Sequence, residues 1–465
     1  MTTTTPLHYL TIGQAAQLVA RGALSPVQLV EASLARIDAL GPALHAFITV
    51  TADSARREAQ QAEQEIRAGR YRGPLHGIPI AHKDILFTEG VRTTAHSRLL
   101  ADWVPSEDAA AVTRLKQAGA ISVGKTACHE FAFGSPSHDD AFPAARNPWN
   151  IDHMPGSSSS GSGAAVAAGL CMAATGTDTG GSVRHPAAAC GIVGMKPTYG
   201  RVSLHGVIPL APTMDHVGPM TRDVADNALL LQALAGHDPR DPCSAQRAVP
   251  DFLSGIGQPI RGLRVGVPRR YINVQPHAIE VLEAFSEAKR VLQSLGAHLV
   301  DIDPPGLESA FDVGSLIIAY EAYQYHAENL QRCPGKFGLA LRLRLERGAA
   351  HTDAAYEASL AQARALRATY AGLFASTVDV VISPGRETPA ETMAQLMSDP
   401  VGKRSVTNRI YSVTGSPAIT LPMGYSGDGL PLALQIAADH FCEARLYQVA
   451  AAYENAAGWY ERHPD

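Results

Sequence analysis

Residues 154–198 read MPGSSSSGSGAAVAAGLCMAATGTDTGGSVRHPAAACGIVGMKPT, and the reading of this stretch decides both fold and chemistry. It holds Ser158 and Ser182 in glycine-rich surroundings, 24 positions apart, and Lys83 lies upstream in GIPIAHKDIL. Two serines and a lysine are sufficient to build a proton relay that ends in a nucleophile. The Gly/Ser run at 156–163 leads straight into AAVAAGL, which a flexible linker would not do. Small residues allow close backbone approach, so such a loop can hold hydroxyls inside a packed interior.

The second block, Thr177-Asp178-Thr179-Gly180-Gly181-Ser182, has its own logic. Paired glycines free the backbone to turn its N–H groups inward, and a helix from about Ser182 adds further N–H groups at the same spot. That arrangement suits an oxyanion hole, with a structural or anion-binding turn as the rival reading. Asp178 and Arg184 can brace the loop as a pair, or form an ordinary ion pair without a role in chemistry. Lys83 alone reads as a snorkelling surface residue. A lysine titrates near 10.4 in water, and burial lowers that by up to several units, so a buried Lys83 can act as a base. Asp84 follows it, but adjacent strand residues face opposite sides, so the two need not pair.

The 465-residue chain is 46% hydrophobic and 18% charged, which fits a globular protein with a large core. A net charge of −5 gives no reason to expect a nucleic-acid surface. The six scattered cysteines contain no CxxC pair and read as buried thiols. Neither a signal-peptide pattern nor a run of about 18 apolar residues is present, so a soluble, cytoplasmic protein is expected.

Ser25-Pro26 opens a helix whose apolar face runs through Val27, Val30, Leu34 and Ile37. Helices are expected at 52–68, 108–118, 164–169, 221–235, 277–295 and 441–456. Strands are expected at 78–80, 121–123, 263–267, 298–302, 378–382, 418–421 and 432–436. The alternation argues for an α/β sandwich. Residues from about 304 to 376 are mostly helical in pattern and lack clear strands, and are expected to cover the sheet as an insertion of one domain spanning 1–465, with its core at about 60–235 and 375–460.

Three motifs mislead. GAISVGKT at 119–126 matches a phosphate-binding loop literally, but its helix precedes Gly119 and its spacer is strand-like. Ser122 to Lys125 fits S-x-x-K without the SDN and KTG partners of that hydrolase class. Residues 156–160 narrowly miss G-x-S-x-G.

The serine-rich stretch running into GTDTGGS and KPT resembles the amidase signature family. Further similarities are GIPIAHKDIL, GKTACHEFAFG at 124–134, ARNPWN at 145–150, GPMTRDVAD at 218–226, GSPAITLPMG at 415–424 and GLPLALQI at 429–436. The resemblance spans nearly the whole chain and is weakest from about 240 to 375. It implies an α/β fold with a mixed central β-sheet covered by helices on both faces, and a helical insertion near the active-site mouth. It also implies a Ser–cis-Ser–Lys triad. Ser182 matches the acyl-forming nucleophile, Ser158 the bridging serine after a cis peptide bond, and Lys83 the base. The oxyanion hole maps onto the backbone of Thr179, Gly180, Gly181 and Ser182, with Asp178, Arg184 and Ser159 in support. The chain departs from the family at Ser157 and Ser160, where glycine is usual, at Ala127-Cys128, and at His185, where the family has an apolar residue.

The resemblance implies a metal-free, cofactor-independent amidase acting on a small molecule. The alternative is the glutamine-hydrolysing A subunit of a tRNA-dependent amidotransferase; carbamate and ester hydrolysis are open within the class. Cys128, Phe131 and Phe133 are candidate pocket residues, and Tyr320, Tyr323, Tyr325 and Phe337 can add an aromatic mouth or simply pack the core. The expected partner is a small amide, carbamate or ester, with no nucleic acid and no membrane, and a homodimer is open.

Overall fold

The computed structural model describes residues 5–399 and 408–464. Its strands are β1 (Phe47–Val50), β2 (Pro79–Lys83), β3 (Ile121–Thr126), β4 (Ala173–Thr177), β5 (Val193–Lys196), β6 (Val217–Thr221), β7 (Arg264–Val267), β8 (His298–Asp301), β9 (Val380–Pro384), β10 (Ala418–Tyr425) and β11 (Pro431–Ala437). They form one sheet in the order β1-β3-β2-β4-β6-β5-β10-β11-β9-β7-β8. β3, β2 and β4 are parallel neighbours, as are β9, β7 and β8, while the strands between them pair antiparallel. The mixed α/β sheet is covered by helices, as the sequence led us to expect.

Most of the expected elements are present, and the sheet contains four strands that periodicity does not show. β1, β4, β5 and β6 read FITV, AATGT, VGMK and VGPMT. The last three are buried at every position, so they lack the polar–apolar alternation of a half-exposed strand. Their glycines, and Pro219 in β6, also look like turn signals. β2 reaches Lys83, three residues beyond the expected end, which puts that lysine at the carboxyl end of a parallel strand.

Local signals set many of the helix boundaries. In Pro26–Leu44 the Ser25 hydroxyl accepts from Val27 N at 3.0 Å, and Gln28 Oε1 accepts from Ser25 N at 3.0 Å. Leu29, Val30, Leu34 and Ile37 of this helix are buried. Between β8 and β9 the chain forms three long helices, Ala310–Arg332, Leu339–Ala349 and Asp353–Ser376. Two links tie the second of them to the segment after β3. Glu130 Oε2 accepts from Gly338 N at 2.9 Å, and Arg344 Nη1 donates to Phe133 O at 2.9 Å. Among the described residues no helix is long and apolar enough to cross a membrane.

Ile436 is fully buried on β11, between β10 and β9. Ile436→Ala is expected to lower the unfolding free energy by about 2–5 kcal/mol in urea titrations, through lost burial and the cavity left behind.

Candidate active site

The parallel strands β2 and β4 end side by side, and their last residues, Lys83 and Thr177, point the same way. Lys83 Nζ lies 2.8 Å from Thr177 Oγ1 and 2.8 Å from Ser158 Oγ. Lys83 is fully buried, and burial lowers its pKa from 10.5 to about 8. Thr177 is a site residue that motif reading misses.

Ser158 follows the cis Ser157–Ser158 peptide bond, and its carbonyl accepts from His129 N at 3.0 Å. Ser159 turns the other way. Its hydroxyl donates to Thr177 O at 3.2 Å, and its N–H donates to Ser182 O at 3.2 Å. The adjacent serines therefore do different things: Ser158 meets the lysine, and Ser159 ties the serine run to β4 and to Ser182. Asp84 faces away from Lys83 and lies 3.5 Å from Lys125 Nζ.

The loop that carries Ser182 is shaped by Asp178. Its carboxylate accepts from Gly181 N at 2.8 Å, from Val183 N at 3.2 Å, and from Arg184 Nε and Nη2 at 3.0 Å each. Arg184 in turn donates to Asn408 O at 2.9 Å, Gln435 Oε1 at 2.8 Å and Ser412 Oγ at 2.9 Å. Burial alone would raise the Asp178 pKa; the Arg184 guanidinium overrides this and holds the carboxyl well below the usual carboxylate range.

Two expectations change here. The helix runs over Arg184–Cys190, so it begins after Ser182 rather than at it. The Gly181 N–H is committed to Asp178 and does not face the cavity, whereas Thr179, Gly180 and Ser182 line it. Gly181 has φ +124°, a conformation open to glycine, and this is what lets its N–H turn back toward Asp178.

A further layer braces the loop. Asp215 accepts from the Thr179 hydroxyl at 2.5 Å and from the N–H groups of Leu210 and Ala211 at 2.9 and 3.1 Å. His216 Nδ1 lies 3.0 Å from Asp178 O and 2.7 Å from Met214 O, and its Nε2 lies 3.2 Å from the buried Lys196. Burial drives both His216 and Lys196 well below their ordinary pKa values. No motif announces this layer beyond the lysine of the KPT block.

Ser158 and Ser182 open into a cavity of about 650 Å³. Phe133 lines it, but Cys128 and Phe131 do not. Phe131 and Ala132 adopt φ +46° and +57°, and the backbone reversal sends Phe131 into the core, 4.4 Å from the His326 ring. Cys128 is also buried, and burial pushes its thiol up to about 12. Nor do the insertion tyrosines form an aromatic mouth. Tyr320 stacks on Tyr356, Tyr325 packs on His326, and Phe337 is core.

The insertion helices instead present Phe311, Asp312 and Leu316, together with Arg344 and Arg347, to the cavity. Arg409 lines it as well, so among the described residues three guanidinium groups face the cavity, and no local motif revealed them. His185 also lines the cavity, and burial lowers its pKa to about 4, so it is neutral at physiological pH.

Residues 28–447 match the family model described as Amidase. The A subunit of the glutamyl-tRNA(Gln) amidotransferase of Prochlorococcus marinus (strain MIT 9303) is 40% identical over 482 residues, covering 98% of this chain and 99% of the relative. The solved peptide amidase of Stenotrophomonas maltophilia superposes with a TM-score of 0.86 at 32% identity, covering 99% of each chain. The A subunit of the Thermotoga maritima glutamyl-tRNA(Gln) amidotransferase gives 0.81 at 32% identity, covering 97% of this chain and 95% of that one. The amidotransferase relatives overturn the partner expectation drawn from net charge. They are named as one subunit of an enzyme for a tRNA, so a charge of −5 on one chain does not exclude nucleic acid from its reaction. One subunit can leave that surface to its partners.

Asp178→Ala should strand Arg184 as a buried unpaired cation and cost about 3–5 kcal/mol in urea unfolding. Adding Arg184→Met is expected to recover part of that loss, as a double-mutant cycle would record.

Proposed function

Because this chain belongs to the amidase signature family, whose members cleave carbon–nitrogen bonds, we propose that it releases ammonia from glutamine as the A subunit of a tRNA-dependent amidotransferase. The contact between Lys83 and Ser158 carries the chemistry of this reading. Neutral Lys83 accepts the Ser158 proton while Ser158 accepts that of Ser182. The Ser182 oxygen attacks the amide carbonyl, and the oxyanion accepts from the N–H groups of Thr179, Gly180 and Ser182. The relay returns a proton to the leaving nitrogen, ammonia departs, and water cleaves the acyl-enzyme to the carboxylate with the relay again as base. Thr177 holds the lysine nitrogen in place by its 2.8 Å contact.

End-to-end identity of 40% to a named A subunit supports the biological setting. The cationic lining supports the substrate, since glutamine carries a free carboxylate that Arg344, Arg347 or Arg409 can meet. The second reading is a stand-alone amide hydrolase. It is favoured by the TM-score of 0.86 to the peptide amidase against 0.81 to the amidotransferase. The purified chain decides between them. Obligate co-purification with partner subunits and glutamine-only activity support the first, and turnover of simple amides by the single chain supports the second.

Ser182→Ala is expected to abolish turnover and acyl-enzyme formation, read by stopped assays and intact-mass spectrometry; full turnover in this variant refutes the relay. Lys83 must be neutral to accept a proton, and its pKa lies at about 8. A plot of kcat/KM against pH should therefore fall tenfold per unit below about pH 8 and level off above it.

A further inference from the structure

His216 is a buried group beside the serine loop that the relay does not use. Its Nδ1 lies 3.0 Å from Asp178 O and 2.7 Å from Met214 O, and its Nε2 lies 3.2 Å from Lys196 Nζ. Carbonyl oxygens only accept, so Nδ1 carries a proton and shares it between them. On the other side Lys196, which also donates to Pro197 O at 3.1 Å, has an unprotonated Nε2 as its acceptor. The partners therefore select one tautomer. The Tyr199 ring packs edge-on against the imidazole at 5.5 Å.

The backbone of His216 acts on the same peptide. Asp178 N donates to His216 O at 2.8 Å, one residue beyond the last β4–β6 pair, Thr177 with Val217. A single residue thus grips Asp178 at both its N–H and its C=O. The Asp178–Thr179 peptide is trans, and a trans peptide sends its C=O and N–H to opposite sides. With Asp178 O turned to His216, the Thr179 N–H points away from it. Among the described residues the N–H groups of Thr179, Gly180 and Ser182 make no hydrogen bond, and all three residues line the cavity. Open N–H groups in a buried loop are donors held for a ligand.

Two chemical effects follow. Holding the carbonyl fixes the peptide plane, which aims the N–H before any charge develops on the substrate. Donation to the carbonyl also polarises the amide and strengthens its N–H as a donor. Asp178 does not set this plane with its carboxylate, which grips the loop further on, at Gly181 and Val183. Asp215 holds Thr179 only by its hydroxyl.

We propose that His216 is a positioning residue for the oxyanion hole. Through the bond from Nδ1 to Asp178 O it fixes and polarises the peptide whose Thr179 N–H meets the oxyanion formed at Ser182. This inference rests on the acyl-transfer reading above.

The test uses the full chain, with partner subunits if it co-purifies with them, and the variants H216N and H216L. Asparagine places an N–H near the position of Nδ1, and leucine has a similar shape without a donor. Both are too short to reach Lys196, so the pair isolates the bond to Asp178 O. Hydrolysis of glutamine and of butyramide is measured, with butyraldehyde as inhibitor. Addition of Ser182 Oγ to the aldehyde carbon, with its proton passing to the relay, turns the carbonyl oxygen into the oxyanion. H216L should lower kcat about 10- to 100-fold with KM little changed, somewhat less than the loss of a whole oxyanion donor. It should weaken butyraldehyde by a similar factor, and H216N should recover most of both. Nitrogen-15 NMR of the wild-type imidazoles, with His216 assigned by its disappearance in H216N, should show a ring protonated at Nδ1. Equal kcat losses in H216N and H216L, a raised KM in place of a lowered kcat, or a ring protonated at Nε2 alone would overturn the proposal. If H216L does not fold, a tenfold loss of kcat in H216N overturns it, and near-normal kcat with the Nδ1 tautomer supports it. A wild-type chain that hydrolyses neither amide defeats the acyl-transfer reading and this proposal with it. Wild-type turnover with H216L unaffected defeats this proposal alone.

Discussion

The buried pair of Asp178 and Arg184 is the interaction on which the rest of the site depends. Both side chains are fully excluded from solvent, so neither charge could be tolerated alone. Asp178 commits its remaining acceptor capacity to the N–H groups of Gly181 and Val183, which sets the turn carrying Ser182. Arg184 directs its remaining donors to Asn408, Gln435 and Ser412, which belong to the far half of the chain. One ion pair thus fixes the serine loop locally and docks it against strands and helices more than two hundred residues away. Its contribution is geometric: desolvation offsets much of the attraction, but the hydrogen-bonding directions of both groups are used.

Desolvation also sorts the lysines. Lys83, Lys125 and Lys196 are each completely buried, and burial lowers the pKa of all three. What separates them is the company each keeps. Lys125 lies near Asp84 and donates to Leu86 O at 2.7 Å and Thr93 Oγ1 at 2.5 Å, so it is a structural cation. Lys196 lies beside His216 and the carbonyl of Pro197, behind the serine loop. Lys83 meets two hydroxyls, one of them on a serine that opens to the cavity. Among the described residues Lys83 has two hydroxyls and no carboxylate in contact with its nitrogen, and burial outweighs the more distant Asp178 and Asp215, which is the setting a base needs.

The insertion between β8 and β9 gives the cavity its character. Its helices are joined to the segment after β3 through Glu130 and Arg344, and burial raises the Glu130 pKa to about 7. The same helices supply the apolar wall at Phe311 and Leu316 and two of the three cavity arginines. The region of weakest family resemblance is therefore one that walls the cavity.

By itself the sequence determined the family, the α/β class, most helices and outer strands, and it singled out Lys83, Ser158 and Ser182. Each leaves a local mark: an N-cap, a 3.6-residue period, or a glycine-rich block around a serine. It did not reveal β4, β5 or β6, because strands buried on both faces carry no alternation. Nor did it show that Phe131 turns inward while Phe133 faces the cavity, which two consecutive residues at positive φ decide. Thr177, Asp215, His216 and the cavity arginines lay beyond it for a different reason. Their partners are dozens to hundreds of residues distant, as when Arg409 comes to rest against Gly180. Covalent neighbours encode local conformation, but the meeting of charge, hydroxyl and cavity is set by packing, and only the tertiary structure decided that.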